Sequence, residues 1–219
     1  MQYLNFLLVD HFRLALHAGL LFGVGLFVAW PVVRYRLTGV AWLPRRIFGL
    51  IVSLMGSRPT LSRMALVIFL FNSTVMFLQM AVGFHSFVPK VLCIWTGMNV
   101  GVMMGFAGES AGMIREAARR REGFIPPPSL TLLCSLLVML LELPCYFYAL
   151  AMGMKLGHVV QGGRAAYLAA LEPRALAYVL FLAPALLVSA VAESVSIRGA
   201  ATGGVPPGQR GEEMDEDEQ

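Results

Sequence analysis

Charge is what this chain has least of. Asp, Glu, Lys and Arg together make up 14% of its 219 residues, against about 25% in ordinary soluble domains. Cysteine is also scarce. Cys93, Cys134 and Cys145 all lie in or beside apolar runs, and an odd count without CxxC spacing argues against a disulfide framework or a zinc site. They read as small apolar residues. Catalytic signatures are missing as well: there is no serine elbow, phosphate loop, HExxH or carboxylate pair at glycosidase-like spacing. His11 and His17 are six apart and do not stack on one helix face, and His85 and His158 alone are too few to ligate a metal. No cofactor, no metal and no enzymatic activity are therefore expected. The net charge of +4 does not point to nucleic acid, because the basic residues fall between apolar runs. The first apolar run is too long for a signal peptide and has no small-residue cleavage site, so it reads as an uncleaved span.

What the chain has is hydrophobic sequence, 58% of it, gathered into runs long enough to cross the ~30 Å hydrocarbon core of a bilayer. The expected fold is an all-α polytopic transmembrane bundle of about five spans, over residues 14–33, 64–84, 91–107, 130–154 and 175–195. Residues 1–198 form one bundle, and 199–219, with two prolines and then EEMDEDE, have a disordered acidic composition. The apolar piece 47–55 is too short to span, so it is expected at the interface, among six arginines between Arg34 and Arg63. Its arginines fit either topology determination or contact with anionic lipid. Residues 108–123 read as a short basic amphipathic segment, and 165–171 as a short outer helix. With the N-terminus out and the C-terminus in, the inner segments hold twelve Lys and Arg and the outer ones five, which is the bias the positive-inside rule requires.

The chain is organised around 130–157. Glu142 sits near the middle of that run, where a carboxylate is disfavoured by roughly 2.5–3.5 kcal/mol on insertion scales. Pro144 follows two residues later and is expected to bend or break the helix, freeing the Leu140 carbonyl. Both groups need partners that lipid cannot supply. Asn72, Asn99 and Glu193 are the candidates for an intramembrane polar centre with Glu142. Asn72 and Gln79, seven apart, share one helix face, and both are expected to bond to neighbouring helices. Gly97, Gly101 and Gly105 form a stripe that admits another backbone at close range, and Gly153 and Gly157 are further small packing positions. Gly19, Gly23 and Gly25 give the first span a similar small surface.

The stretch Glu142-Leu143-Pro144, followed by Ala151-Met152-Gly153-Met154-Lys155-Leu156-Gly157, resembles the stage II sporulation protein M family of bacterial integral membrane proteins. Phe69-Leu70-Phe71-Asn72, Asn99-Val100-Gly101-Val102-Met103-Met104-Gly105 and Ala190-Val191-Ala192-Glu193 are similar to three further pieces of that family. Val138-Met139 stand where the family has a His-Gly pair, and Val100 separates an asparagine and glycine that are adjacent there, so the chain looks like a divergent member. The resemblance implies a five-helix protein of the bacterial cytoplasmic (inner) membrane. It implies a scaffold that works with peptidoglycan-remodelling enzymes rather than a hydrolase. Its partners would be the lipid bilayer and other membrane or envelope proteins, with a homo-oligomer left open. The competing expectation is a small transporter or permease component that uses Glu142 in a polar cavity.

Overall fold

The computed structural model describes residues 9–56, 60–85, 87–105, 126–157 and 163–202. The basic segment 108–123, His158 and the acidic tail beyond residue 202 lie outside the described residues. All regular structure among the described residues is helical: α1 Phe12–Arg34, α2 Thr38–Met55, α3 Leu61–Ala81, α4 Phe87–Gly105, α5 Pro128–Leu156, α6 Gly163–Ala177 and α7 Ala183–Thr202, with a π-helical turn at Tyr178–Leu182 joining α6 to α7. Among the described residues, five helices are long and apolar enough to cross a membrane: α1, α3, α4, α5 and the run Gly163–Ala200 that takes in α6 and most of α7.

Several boundaries differ from those read in the sequence. α4 begins at Phe87, so Phe87, Val88 and Pro89 belong to its first turn and not to the preceding loop. Proline is tolerated there because its missing N–H would have no helical partner anyway. α5 runs through Pro144 unbroken. In hydrocarbon a full break would expose several backbone groups to no solvent at all, whereas an uninterrupted helix loses one bond. The expected outer helix at 165–171 is longer and is continuous with the last span, through Pro173. The π turn precedes Pro184 directly, and a wider turn is one way a helix absorbs the bond that a proline cannot make. α7 runs on to Thr202, past the boundary drawn at residue 198.

The piece expected at the interface is also longer than 47–55: α2 has 18 residues, beginning at Thr38. The turn into it closes the end of α1 with two backbone bonds, Leu37 N–H to Val32 O at 2.9 Å and Arg36 N–H to Val33 O at 3.2 Å. Arg36 sits at φ 49° in the left-handed position that glycine usually fills. The exit from α2 turns at Gly56, φ 81°, a conformation that glycine adopts without strain. Thr60 then caps α3 by accepting from Arg63 N–H at 3.1 Å, and the Arg63 guanidinium donates to Leu54 O at 3.0 Å, tying the two helices at their joint.

The most extensive contact is between α1 and α4. It is a close approach of backbones at glycine. A Cβ on Gly97 would overlap Phe22 O, and one on Gly25 would overlap Ile94 O. Gly101 meets Ala29, and Gly105 meets Val33, on the same seam. A second glycine contact joins the turn after α3 to α5: a Cβ on Gly83 would overlap Gly153 O. Gly157 instead ends α5 in ordinary right-handed backbone, its N–H on Gly153 O at 3.2 Å.

α5 touches all four other spans. Against α1 it packs Tyr146 and Phe147 edge-on to the Phe22 ring, at centroid distances of 5.7 and 5.6 Å. Its C-terminal half, from Ala149 to Met154, is buried on every side. The outward faces stay apolar: Phe27 is 78% exposed and Leu140 70%, as expected of helices whose solvent is lipid.

Gly97→Ala should therefore lower the thermal midpoint of the detergent-purified protein, with an overpacking loss of about 1–3 kcal/mol. Gly23→Ala, where nothing lies within 4 Å of the added Cβ, should leave the midpoint unchanged or raise it. Equal midpoints for the two variants would refute the close α1–α4 contact.

Candidate functional site

The polar groups of the span interiors meet mainly where α3, α5 and α7 pack together. Asn72 on α3 donates through Nδ2 to Glu142 Oε1 on α5 at 3.0 Å. Glu193 on α7 lies close enough to Glu142 for the two carboxyl groups to interact electrostatically, and the Cys145 thiol, one turn along α5, is near Glu142 in the same sense. Glu193 Oε2 is buried with no hydrogen-bond partner. Three of the four proposed polar residues, Asn72, Glu142 and Glu193, thus come together on three different helices. Asn99 is the exception. It lies on α4, and its Oδ1 is buried without a hydrogen-bond partner. Pro144 is one turn's edge from Glu142 on α5 and adds no side-chain bond.

The centre extends in both directions as a seam. On α7, Ser189, Glu193 and Ser196 fall at spacings of four and three, which places them on one face. Ser196 meets Ser135 of α5 at 2.6 Å. Ser135 already donates to Thr131 O at 2.9 Å, so Ser196 is the donor between the two hydroxyls. Beside Asn72, Ser73 and Tyr178 form a second α3 link. Tyr178 donates to Ser73 O at 2.8 Å, and Ser73 Oγ, 3.0 Å away, donates back to the phenol oxygen. Tyr178 opens the π turn and packs its ring edge-on to Phe77 at 5.5 Å. Ser189 is 2% exposed, and its Oγ has no partner.

Gln79 does not join this seam although it shares a face with Asn72. It is near the end of α3, and its Nε2 donates to Thr96 on α4 at 3.0 Å. Nearby, Cys93 Sγ donates to Ala18 O at 2.9 Å, and Tyr146 reaches Leu92 O at 3.5 Å. The Cys93 thiol thus joins α4 to α1, the Gln79 amide and the Tyr146 phenol bond α4 to α3 and α5, and the α3–α5–α7 trio is held by carboxyl, amide and hydroxyl groups.

The serine pairs were not singled out in the sequence. Serine in an apolar helix often bonds to the carbonyl one turn back, as Ser194 does to Ala190 O at 2.7 Å, so its presence alone does not reveal a cross-helix bond. The readable signal was positional: Ser135 and Glu142 are seven apart on α5, matching the Ser189, Glu193 and Ser196 face of α7. Among the described residues no group of three or more His, Cys, Asp or Glu side chains could hold a metal ion.

A family model described as stage II sporulation protein M matches residues 18–196 of this chain. The chain belongs to the stage II sporulation protein M family. The match takes in most of α1, all of α2 to α6 and α7 as far as Ser196, including the whole polar centre and both glycine contacts. No curated protein matches the chain, and no solved structure does. The chain is thus a multi-pass membrane protein of that family.

The Asn72–Glu142 bond can be weighed by a double-mutant cycle with Asn72→Leu and Glu142→Leu, read as unfolding free energy in detergent. The coupling should be about 0.6–1.7 kcal/mol, the range of polar pairs between membrane helices. Additive losses would show that the two side chains do not stabilise each other.

Proposed function

We propose that this chain is a non-enzymatic integral membrane scaffold or assembly subunit of the bacterial cell envelope, seated in the cytoplasmic membrane and supporting peptidoglycan remodelling. The observation that carries the reading is the Asn72–Glu142 bond at 3.0 Å. The most expensive group in the bundle is spent on a neighbouring helix. Ser135–Ser196 and Ser73–Tyr178 do the same on either side of it. Side chains used this way fix one arrangement of helices and present a constant outer surface. Under this reading, partners dock on that surface, on the connecting segments or on the acidic tail. The family resemblance supplies the peptidoglycan context.

One observation favours a second reading. The Oε2 of Glu193 is buried without a hydrogen-bond partner and within electrostatic reach of Glu142, and a pair of interacting carboxyl groups inside a membrane is a place to hold a proton. That chemistry suits a small transporter or permease component. It requires that the ionisable proton itself matters, and the strut requires only a hydrogen-bonding group of the right shape.

Glu142→Gln and Glu142→Leu separate the two when membrane abundance is read beside growth or envelope integrity. For a strut, Gln accumulates and functions, while Leu leaves the Asn72 amide unpaired, with a loss of about 1–3 kcal/mol, and its abundance falls. If both variants accumulate normally and neither functions, the transport reading replaces the scaffold.

A further inference from the structure

Two side-chain oxygens inside the bundle have no partner and stand one turn apart on the same helix. Ser189 and Glu193 are four residues apart on one face of α7. Ser189 is 2% exposed, and neither its Oγ nor Glu193 Oε2 makes a hydrogen bond. The two therefore do not bond to each other. Serine in an apolar helix commonly spends its hydroxyl on the carbonyl one turn back, as Ser194 and Ser135 do. The Ser189 hydroxyl is not spent in that way.

The register of α5 on α7 shows what these oxygens face. Thr131 lies against Gly199, Ser135 bonds to Ser196, and the Cys145 thiol donates to Leu182 O at 3.9 Å. Residue numbers rise along α5 as they fall along α7, so the two helices run antiparallel. Glu142 is seven residues on from Ser135, and Ser189 is seven back from Ser196. Ser189 is therefore level with Glu142, and Glu193 stands one turn nearer to Ser196. Helical side chains lean toward the N-terminus of their own helix. Glu193 leans toward Ser189, and Glu142, on the antiparallel helix, leans toward the level of Glu193. The electrostatic interaction of the two carboxyl groups agrees with this convergence.

A proton on Glu193 removes its charge but leaves the Ser189 hydroxyl unbonded. A cation between the two satisfies both oxygens at once and needs no bond between them. α7 packs chiefly on α5 and α3, and no Lys or Arg occurs in residues 64–81, 130–154 or 175–197 of these spans. The neighbouring Cys145 thiol is turned to Leu182 O, so the set consists of oxygens, which suit a hard cation. A divalent ion takes six or more oxygens or keeps several waters, more than three side chains in an apolar bundle supply. We propose that Ser189, Glu193 and Glu142 bind one alkali cation, sodium or potassium, between α5 and α7. Ser189 Oγ and Glu193 Oε2 are its ligands on α7. Glu142 has Oε1 engaged by Asn72 and offers Oε2. The ion clamps α7 to α5 at the level where α3 already holds Glu142. The Asn72–Glu142 bond does not depend on it, so loss of the ion leaves the strut in place.

The test is the thermal midpoint of the purified full chain in detergent as NaCl or KCl replaces choline chloride at constant ionic strength. Retention of radioactive sodium is the second reading. A ligand bound only by the folded state raises the midpoint with its concentration, so at least one of the two salts should raise it saturably above choline. Ser189→Ala and Glu193→Gln should each weaken the ion roughly ten-fold or more, the loss that removing even a supporting group of a metal site brings. Ser194→Ala, which loses only a bond to its own helix, should respond like the parent. Ser189→Ala removes a single hydroxyl and keeps the test decisive if Glu193→Gln fails to fold. The proposal is overturned if neither salt raises the midpoint above choline, or if Ser189→Ala responds and retains sodium like the parent. It is also overturned if Ser194→Ala loses the response as fully as Ser189→Ala.

Discussion

The structure depends on one constraint: a carboxyl group at the middle of a membrane span has no water to bond to. Glu142 stands on α5, the span that touches all the others, and its nearest hydrogen-bonding partner is brought by α3. Once Asn72 is held there, the neighbouring residue Ser73 is placed for Tyr178, which ties the start of the last span to the same point. α7 then lays its Ser189, Glu193 and Ser196 face along α5. Each of these bonds is worth only about 0.6–1.7 kcal/mol. Their effect is mostly on register, because a slip of one residue in any of the three helices leaves several polar atoms in hydrocarbon.

Glycine does the complementary work where polar groups are absent. α1 and α4 approach until backbone touches backbone at Gly25 and Gly97. α3 and α5 do the same at Gly83 and Gly153. In a bilayer there is no hydrophobic drive between helices, so close packing and polar bonds have to supply the association. The bundle therefore has two kinds of seam: a glycine seam, apolar, between α1 and α4, and a polar seam among α3, α5 and α7. α5 joins them, with Phe147 and Tyr146 against Phe22 on one side and Glu142 on the other.

The spans were legible because lipid demands long apolar runs, and the Gly97, Gly101 and Gly105 stripe was legible because small residues at every fourth position have few other uses. Which helix the stripe would meet was not. A stripe reports close approach and carries no address, and the partner surface on α1 is only partly glycine. The centre was half legible. Glu142 announced itself by its charge, and Asn72 and Glu193 by polarity in apolar surroundings, but Asn99, equally polar, stands elsewhere. Pro144 was expected to bend or break α5; the helix is unbroken there, because in lipid a break leaves more groups unsatisfied than an intact helix does. α2 was underestimated because Gly39, Pro44 and the Arg45-Arg46 pair interrupt its apolar run, although Ala41, Pro44, Ile47, Ile51 and Met55 keep helical spacing throughout.

The native thiol beside Glu142 offers the most direct measurement of whether the centre is a packed strut or a watered path. Cys145 is 8% exposed and lies next to the carboxyl group. In a background with Cys93→Ala and Cys134→Ala, labelling of Cys145 by a charged methanethiosulfonate reagent can be followed in native membranes and again after denaturation. A closed, protein-bonded centre gives no labelling until the bundle is unfolded. Rapid labelling in the native membrane would mean that water reaches Glu142, and would contradict a scaffold in which Glu142 is bonded by a neighbouring helix and closed off from water.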